Sequence, residues 1–282
     1  MTALLTMHDD TALDRVKLIA SDMDLTLLAD DGSMPPQMFE RIKALDSVGV
    51  LFCAASGRPS YTLREMFAEV SEHMAMLSDN GAAVYCKDEL VFKDLIDVPT
   101  YHDLIDFTAA DGRGFATVCG IDSCYVLKRY EDWDSVLRTF YKRITYLDSF
   151  DNLTADVNKY TVFFPESDGE EIYASTYRDA WSDRFTVTNA GKQWIDIMNK
   201  HVDKGQGLAH VCDYLGITLD DAMAFGDTYN DIQMLEAVGH SYVVANAEEH
   251  MHAHARFMAP SNNERGVAQV IDAVLATHGV HI

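Results

Sequence analysis

The sequence has no C-x-x-C pair, and its five cysteines, Cys53, Cys86, Cys119, Cys124 and Cys212, are scattered and odd in number. That pattern excludes a zinc ribbon and argues against a disulfide framework. Reduced, buried thiols in a cytoplasmic protein fit it better. The start of the chain lacks a basic segment followed by an apolar one; Asp9, Asp10 and Asp14 stand where a leader needs apolar residues. No apolar run approaches the ~18 residues of a membrane helix. Basic residues are scarce as well: 22 Lys and Arg face 45 Asp and Glu, for a formal net charge of −23. A field of that sign repels nucleic acid and anionic membranes, so neither partner is expected. It also repels an anionic metabolite, and a phosphate site here needs local positive charge from a metal, a lysine or helix N-termini. The plainer reading of the acidity is solubility.

What is present suffices for a sizeable core: 282 residues, 48% hydrophobic, enough for one large domain or two moderate ones. Short apolar runs that end in polar residues read as buried parallel strands at Val16–Ser21, Val50–Ala55, Ala75–Leu77 and Ala222–Phe225. Segments with helical spacing lie between them. Phe39, Ile42, Leu45 and Val48 mark the first, with Ser33 expected as its N-cap ahead of Pro35 and Pro36. This rhythm predicts a doubly wound parallel sheet of Rossmann-like type, with functional residues gathered at the carboxyl ends of the strands. The middle of the chain is aromatic-rich and reads as strands and hairpins, an inserted α+β unit. The expected division is a core at 1–85, an insertion at 86–190 and the rest of the core at 191–282. Residues 1–15 are expected to form an extension whose first dozen residues are mobile.

Four clusters carry chemistry. Asp22-Met23-Asp24-Leu25-Thr26 follows the first strand, and two carboxylates two residues apart on extended backbone point the same way. Such a pair needs a cation or a shared proton. Magnesium suits it, since it takes carboxylate and phosphate oxygens together. Phe225-Gly226-Asp227-Thr228-Tyr229-Asn230-Asp231 follows another strand and offers a further carboxylate, with Gly226 allowing close backbone approach. Ser56-Gly57-Arg58-Pro59 offers a hydroxyl and free N–H groups to a phosphoryl group. Lys204 opens a helix and offers an ammonium. Each has a plainer reading: an Asp-rich turn, a helix N-cap, a loop, a solvated lysine. His250, His252 and His254 invite a metal reading. On a helix, however, only His250 and His254 share a face, and no strong partner is evident, so surface histidines are expected.

Taken in order, the four clusters resemble the motifs of the haloacid dehalogenase-like hydrolase superfamily. The insertion between the second and third resembles the type IIB cap of the Cof-type sugar-phosphate phosphatases. Ser78-Asp79-Asn80-Gly81-Ala82, Asn246-Ala247 and Gly266-Val267-Ala268 add to the likeness. Cys53-Ala54-Ala55 departs from it, since an Ala-Thr pair is commoner before the motif serine. The resemblance implies a Mg2+-dependent phosphatase acting on a small phosphorylated metabolite. Asp22 is then the nucleophile, ionised at neutral pH as an ordinary Asp of pKa ~3.9 is and kept so by magnesium, and Asp24 the general acid and base. The ion is held by Asp22, Asp227 and the Asp24 backbone carbonyl. Thr26, Ser56, Gly57, Lys204 and Asn230 bind the phosphoryl group, supported by Asp231. Arg58, Asn80 and Lys159 are candidate substrate contacts, although Lys159 also reads as an exposed strand residue. A phosphomutase and a phospho-accepting regulatory module are the alternatives. No pattern specifies an oligomeric state.

Overall fold

The structure is a computed structural model that describes residues 4–282. In chain order its strands are β1 Leu5–Thr6, β2 Leu18–Asp22, β3 Leu51–Ala55, β4 Met74–Ser78, β5 Ala83–Cys86, β6 Glu89–Lys93, β7 Phe115–Gly120, β8 Cys124–Leu127, β9 Ile144–Leu147, β10 Val157–Phe163, β11 Phe185–Asn189, β12 Trp194–Asn199, β13 Ala222–Gly226, β14 His240–Val244 and β15 Phe257–Ala259. They form two sheets and two compact units.

The first unit comprises Met1–Gly57, Met66–Phe92 and Asp203–Ile282. Its nine-stranded sheet runs β1-β15-β14-β13-β2-β3-β4-β5-β6, with parallel pairing from β1 through β4 and an antiparallel β4–β5 pair. Strands β2, β3, β4 and β13 are buried along their whole length, so their sequences are continuous apolar runs and do not alternate. Helices Met38–Ser47, Lys204–Leu215 and Gly266–Thr277 bury one stripe each. The helix Lys204–Leu215 comes unusually close to the sheet. A Cβ at Gly207 would lie 2.4 Å from a Leu77 methyl and 2.9 Å from the Gly81 Cα, so only glycine permits this approach.

The second unit comprises Arg58–Glu65 and Lys93–Val202. Its six-stranded sheet runs β11-β12-β10-β7-β8-β9, antiparallel apart from the β8–β9 pair. One apolar cluster joins Tyr160 and Val162 of β10 to Tyr101 and Leu104 of the helix Val98–Asp111. A second joins Phe163 and Cys119 to Tyr61 and Tyr141. Cys119 and Cys124 face each other across β7 and β8 as buried thiols not joined by a disulfide.

Three expectations need correcting. The insertion boundaries move from 85/86 and 190/191 to 92/93 and 202/203, because β6 joins the first sheet whereas β12 pairs with β10 and β11. Ser33 does not cap the first helix, which begins at Met38. A residue before proline is barred from helical backbone, so the Pro35-Pro36 pair delays the start. The N-terminal segment, outside residues 1–3, is docked: β1 pairs with β15, and buried Asp10 accepts hydrogen bonds from His240 Nδ1 at 2.8 Å and Tyr242 Oη at 2.9 Å. Among the described residues no helix is long and apolar enough to cross a membrane.

Candidate active site

Strands β2 and β13 are neighbours, and their register pairs Ser21 with Phe225. Asp22 and Asp227 therefore emerge at the same carboxyl edge of the sheet. Lys204 arrives there from the first turn of its helix, where the Asp203 side chain caps the Gln206 N–H at 2.8 Å. Its ammonium, wholly buried, donates to Asp22 Oδ1 at 2.5 Å and to Asp231 Oδ1 at 2.6 Å. Asp231 Oδ2 accepts the backbone N–H groups of Asp227 at 3.0 Å and Thr228 at 3.2 Å. Thr26 donates its hydroxyl to Asp227 Oδ1 at 2.7 Å. Gly226 lets this loop fold tightly: a Cβ there would sit 2.4 Å from the Asp231 Cβ.

Asp22, Asp227 and Asp231 bring one oxygen each to within 4.8 Å of one another. Asp22 and Asp231 hold the Lys204 ammonium and Asp227 stands beside them, so if all three are ionised the cluster carries a net charge of −2. Burial raises the Asp22 carboxyl to about 8, with Asp231 and Asp227 adding to the rise against the pull of Lys204. Burial likewise lifts Asp227 to about 6, opposed by the Thr26 hydrogen bond and reinforced by Asp231. Burial works against the Lys204 charge, but Asp22 and Asp231 outweigh it and hold the ammonium above its ordinary range. The charge of Asp22 therefore depends on its counter-ions: burial pushes its carboxyl up while the Lys204 ammonium pulls it down. The cluster offers only hard oxygen donors and an excess of negative charge, which fits a small divalent cation.

Other expected site residues fall as follows. Asp24 is exposed while Asp22 is buried. The strand ends at Asp22 and the backbone coils through Met23–Leu27, so the two-residue alternation of an extended strand does not apply. Ser56 is buried at the end of β3, but its N–H is not free, because it donates to the Leu77 carbonyl at 2.9 Å. Asn80 is a bridge: its N–H donates to the Ser56 carbonyl at 2.9 Å, and its Oδ1 accepts from Asn230 Nδ2 at 3.0 Å. Asn80 and Asn230 thus tie the second and fourth motif loops together. Gly57 lies against that bridge, its would-be Cβ 3.3 Å from Asn80 Oδ1. Arg58 and Lys159 belong to the second unit. Lys159 is buried, contrary to its plainer reading, and its ammonium lies 3.7 Å from Asp196 Oδ2.

The histidines fall in a 3-10 turn, Glu249–His254, so the spacing of an α-helix does not apply to them. His250 stacks on Tyr229 with ring centroids 4.3 Å apart, and His254 Nδ1 lies 2.6 Å from Glu236. Asn262 and Arg265, which grip the segment after Thr26, were not legible as functional. Their only signal is the Asn-Asn-Glu-Arg run following Pro260-Ser261.

A mostly parallel sheet with acids at its carboxyl edge and an α+β insertion between its halves is a Rossmann-like α/β core with a cap domain. The chain belongs to the haloacid dehalogenase-like hydrolase family, whose model matches residues 19–271. Within it, the chain is a phosphatase of the Cof type. It is 30% identical over 262 residues, 92% of this chain and 96% of the relative, to the 5-amino-6-(5-phospho-D-ribitylamino)uracil phosphatase YbjI of Escherichia coli K12. The crystal structure of SMU.1108c from Streptococcus mutans UA159 matches with a TM-score of 0.80 and 32% identity, covering 93% of this chain and 99% of that one. The subclass IIB sugar phosphatase BT4131 shares the fold, with a TM-score of 0.72 at 20% identity over 92% of this chain and 98% of its own.

Proposed function

We propose that the chain hydrolyses a small phosphorylated metabolite, a sugar phosphate or related phosphomonoester, in a magnesium-dependent reaction that passes through a phosphorylated Asp22. One observation carries the reading: Asp22 and Asp231 share the buried ammonium of Lys204, and Asp227 brings a third carboxylate oxygen to within 4.8 Å of theirs. An acid with no solvent and a lysine at hydrogen-bond distance is poised as a nucleophile toward an anion that brings its own charge to the cluster.

In this reading Asp22 Oδ attacks phosphorus while the bond to the leaving alkoxide breaks and Asp24 gives that oxygen its proton. Asp24 then takes a proton from water, the water oxygen attacks the phospho-Asp22 phosphorus, and the carboxylate and inorganic phosphate are released. Lys204 holds Asp22 in place and offsets the charge of the transferring group, with Thr26, Ser56 and the Gly57 backbone as further phosphoryl contacts. Asp231 keeps Lys204 and the Asp227 loop in register. Asp22, Asp227 and the Asp24 carbonyl would hold Mg2+, with Asp231 beside them. When bound, the ion neutralises the excess acid charge and polarises the phosphoryl oxygens. The buried thiols, none of them in a disulfide, suit a cytoplasmic setting.

A panel of phosphorylated sugars, nucleotides and cofactors tests this, with and without Mg2+. It should include 5-amino-6-(5-phospho-D-ribitylamino)uracil, the substrate in the name of the Escherichia coli relative. Metal-dependent phosphate release from at least one small monoester is expected. Release that ignores Mg2+ across the panel would overturn the reading.

A further inference from the structure

The segment that carries Asp22, Asp24 and Thr26 turns at Leu25, which has φ +61° and ψ +5°. In this left-handed region the Cβ of a leucine crowds the carbonyl that follows. The side chain is 49% exposed, so packing does little to hold it there. The restraint is polar. The Leu25 carbonyl accepts a hydrogen bond from Asn246 Nδ2 at 2.8 Å, and Asn246 Oδ1 accepts the Asn262 backbone N–H at 2.9 Å. Asn262, wholly buried, donates its own Nδ2 to the Leu28 carbonyl at 3.1 Å and to Asp30 Oδ1 at 2.9 Å. Asn263 exchanges two bonds with Asp30, and Arg265 donates to the carbonyl and hydroxyl oxygens of Ser33. The loops after β14 and β15 thus grip residues 25–33 from Leu25 to Ser33.

We infer that Asn246 is a positioning residue for phosphoryl transfer. By fixing the Leu25 carbonyl it keeps the left-handed turn that separates Asp24 from Thr26 and lets the Thr26 hydroxyl reach Asp227 Oδ1 at 2.7 Å. The inference rests on the reading of Asp22 and Asp24 as the reacting pair. Asn246 is exposed and fills no core space. Its removal therefore leaves the fold standing and falls on the geometry of the loop.

The test uses Asn246→Ala in the full chain, with a phosphomonoester that the wild type hydrolyses. A 10- to 100-fold lower kcat with KM within about threefold is expected, because an about 1 Å misplacement near the chemistry costs on the order of 10²-fold. Asparagine enters the left-handed region more readily than leucine, so Leu25→Asn in the Asn246→Ala background recovers at least tenfold of the lost kcat. A readout independent of turnover is amide exchange at Leu28, whose N–H closes the turn onto the Met23 carbonyl at 2.8 Å. At least tenfold faster exchange in Asn246→Ala is expected. Unchanged kcat, failure of the second substitution to rescue, or unchanged Leu28 exchange would each overturn the inference. A wild-type level of turnover in Asp22→Asn would instead refute the reading beneath it, whatever Asn246 does.

Discussion

The ammonium of Lys204 lies 2.6 Å from the Asp231 carboxylate, and neither side chain reaches solvent. Breaking such a pair from one side strands a buried charge, at a cost of about 3–5 kcal/mol. Lys204→Met is expected to lose about that much in urea unfolding and to lose activity. Adding Asp231→Asn should restore part of the stability and none of the activity. A Lys204→Met protein as stable as the wild type would mean the pair is not buried as described.

Asp22→Asn keeps the shape of the side chain and replaces the attacking carboxyl oxygen with an amide. Turnover should fall by ~10⁴-fold or more while the unfolding midpoint stays near that of the wild type. Steady-state kinetics and thermal unfolding on the same preparation check both halves.

Gly226→Ala places a methyl 2.4 Å from the Asp231 Cβ, which is anchored on both sides. Overpacking of this kind costs about 1–3 kcal/mol. It must also shift Asp231 or the Asp227 loop, so kcat should drop by roughly two orders of magnitude. An active, stable Gly226→Ala enzyme would show that the loop yields without consequence.

The metal-free protein should lose stability as pH rises from about 4 through about 8. Asp22 and Asp227 have folded-state values raised to about 8 and about 6, from 3.8 in the unfolded chain. The folded state therefore binds more protons across that window, and stability falls with pH. Magnesium should raise the unfolding temperature more at pH 8 than at pH 5, and EDTA should abolish both that shift and the activity. Equal shifts at both pH values would contradict the charge excess assigned to the acid cluster.

Asp10 works in the opposite sense. The hydrogen bonds of His240 and Tyr242 overcome burial and hold its carboxyl below the ordinary value. Its contribution is present above about 4 and is lost as pH falls through the lowered value. Asp10→Ala should cost about 1–3 kcal/mol, because it leaves buried donors unpaired, and should leave kcat unchanged. Unfolding curves and protease sensitivity of the N-terminal segment are the measurements.

The site is legible in the sequence because three of the four motifs directly follow a short apolar run, the fourth opens a helix, and parallel strands open their loops at one edge. Asp22 and Asp227 could be placed together on that ground alone. The burial of Asp10 was not legible: a lone acid in a polar stretch has no periodicity, and its partners stand 230 and 232 residues away. The end of the insertion was missed for a related reason. Trp194–Asn199 reads as a strand in any context, and only its pairing with Val157–Phe163 assigns it to a sheet. The Asn80–Asn230 bridge was not legible, because a short amide side chain gives no sign of its partner 150 residues away; φ at Asn80 is +55°. The raised Asp22 carboxyl depends first on burial and then on Asp231 and Asp227 from a distant segment, a sum that no local pattern contains.

Lys204 and Asp22 meet across 182 residues of chain, and β2 takes β13 as its neighbour on one side. During synthesis, β2 therefore leaves the ribosome with β3 as the first partner available to it, and its other edge waits for the last quarter of the polypeptide. Any message cut short before Ala222 would yield a product with that strand edge uncovered and without Asp227 and Asp231. Such a fragment would be sticky and inert, and so a substrate for chaperones and proteases, not a weak version of the enzyme.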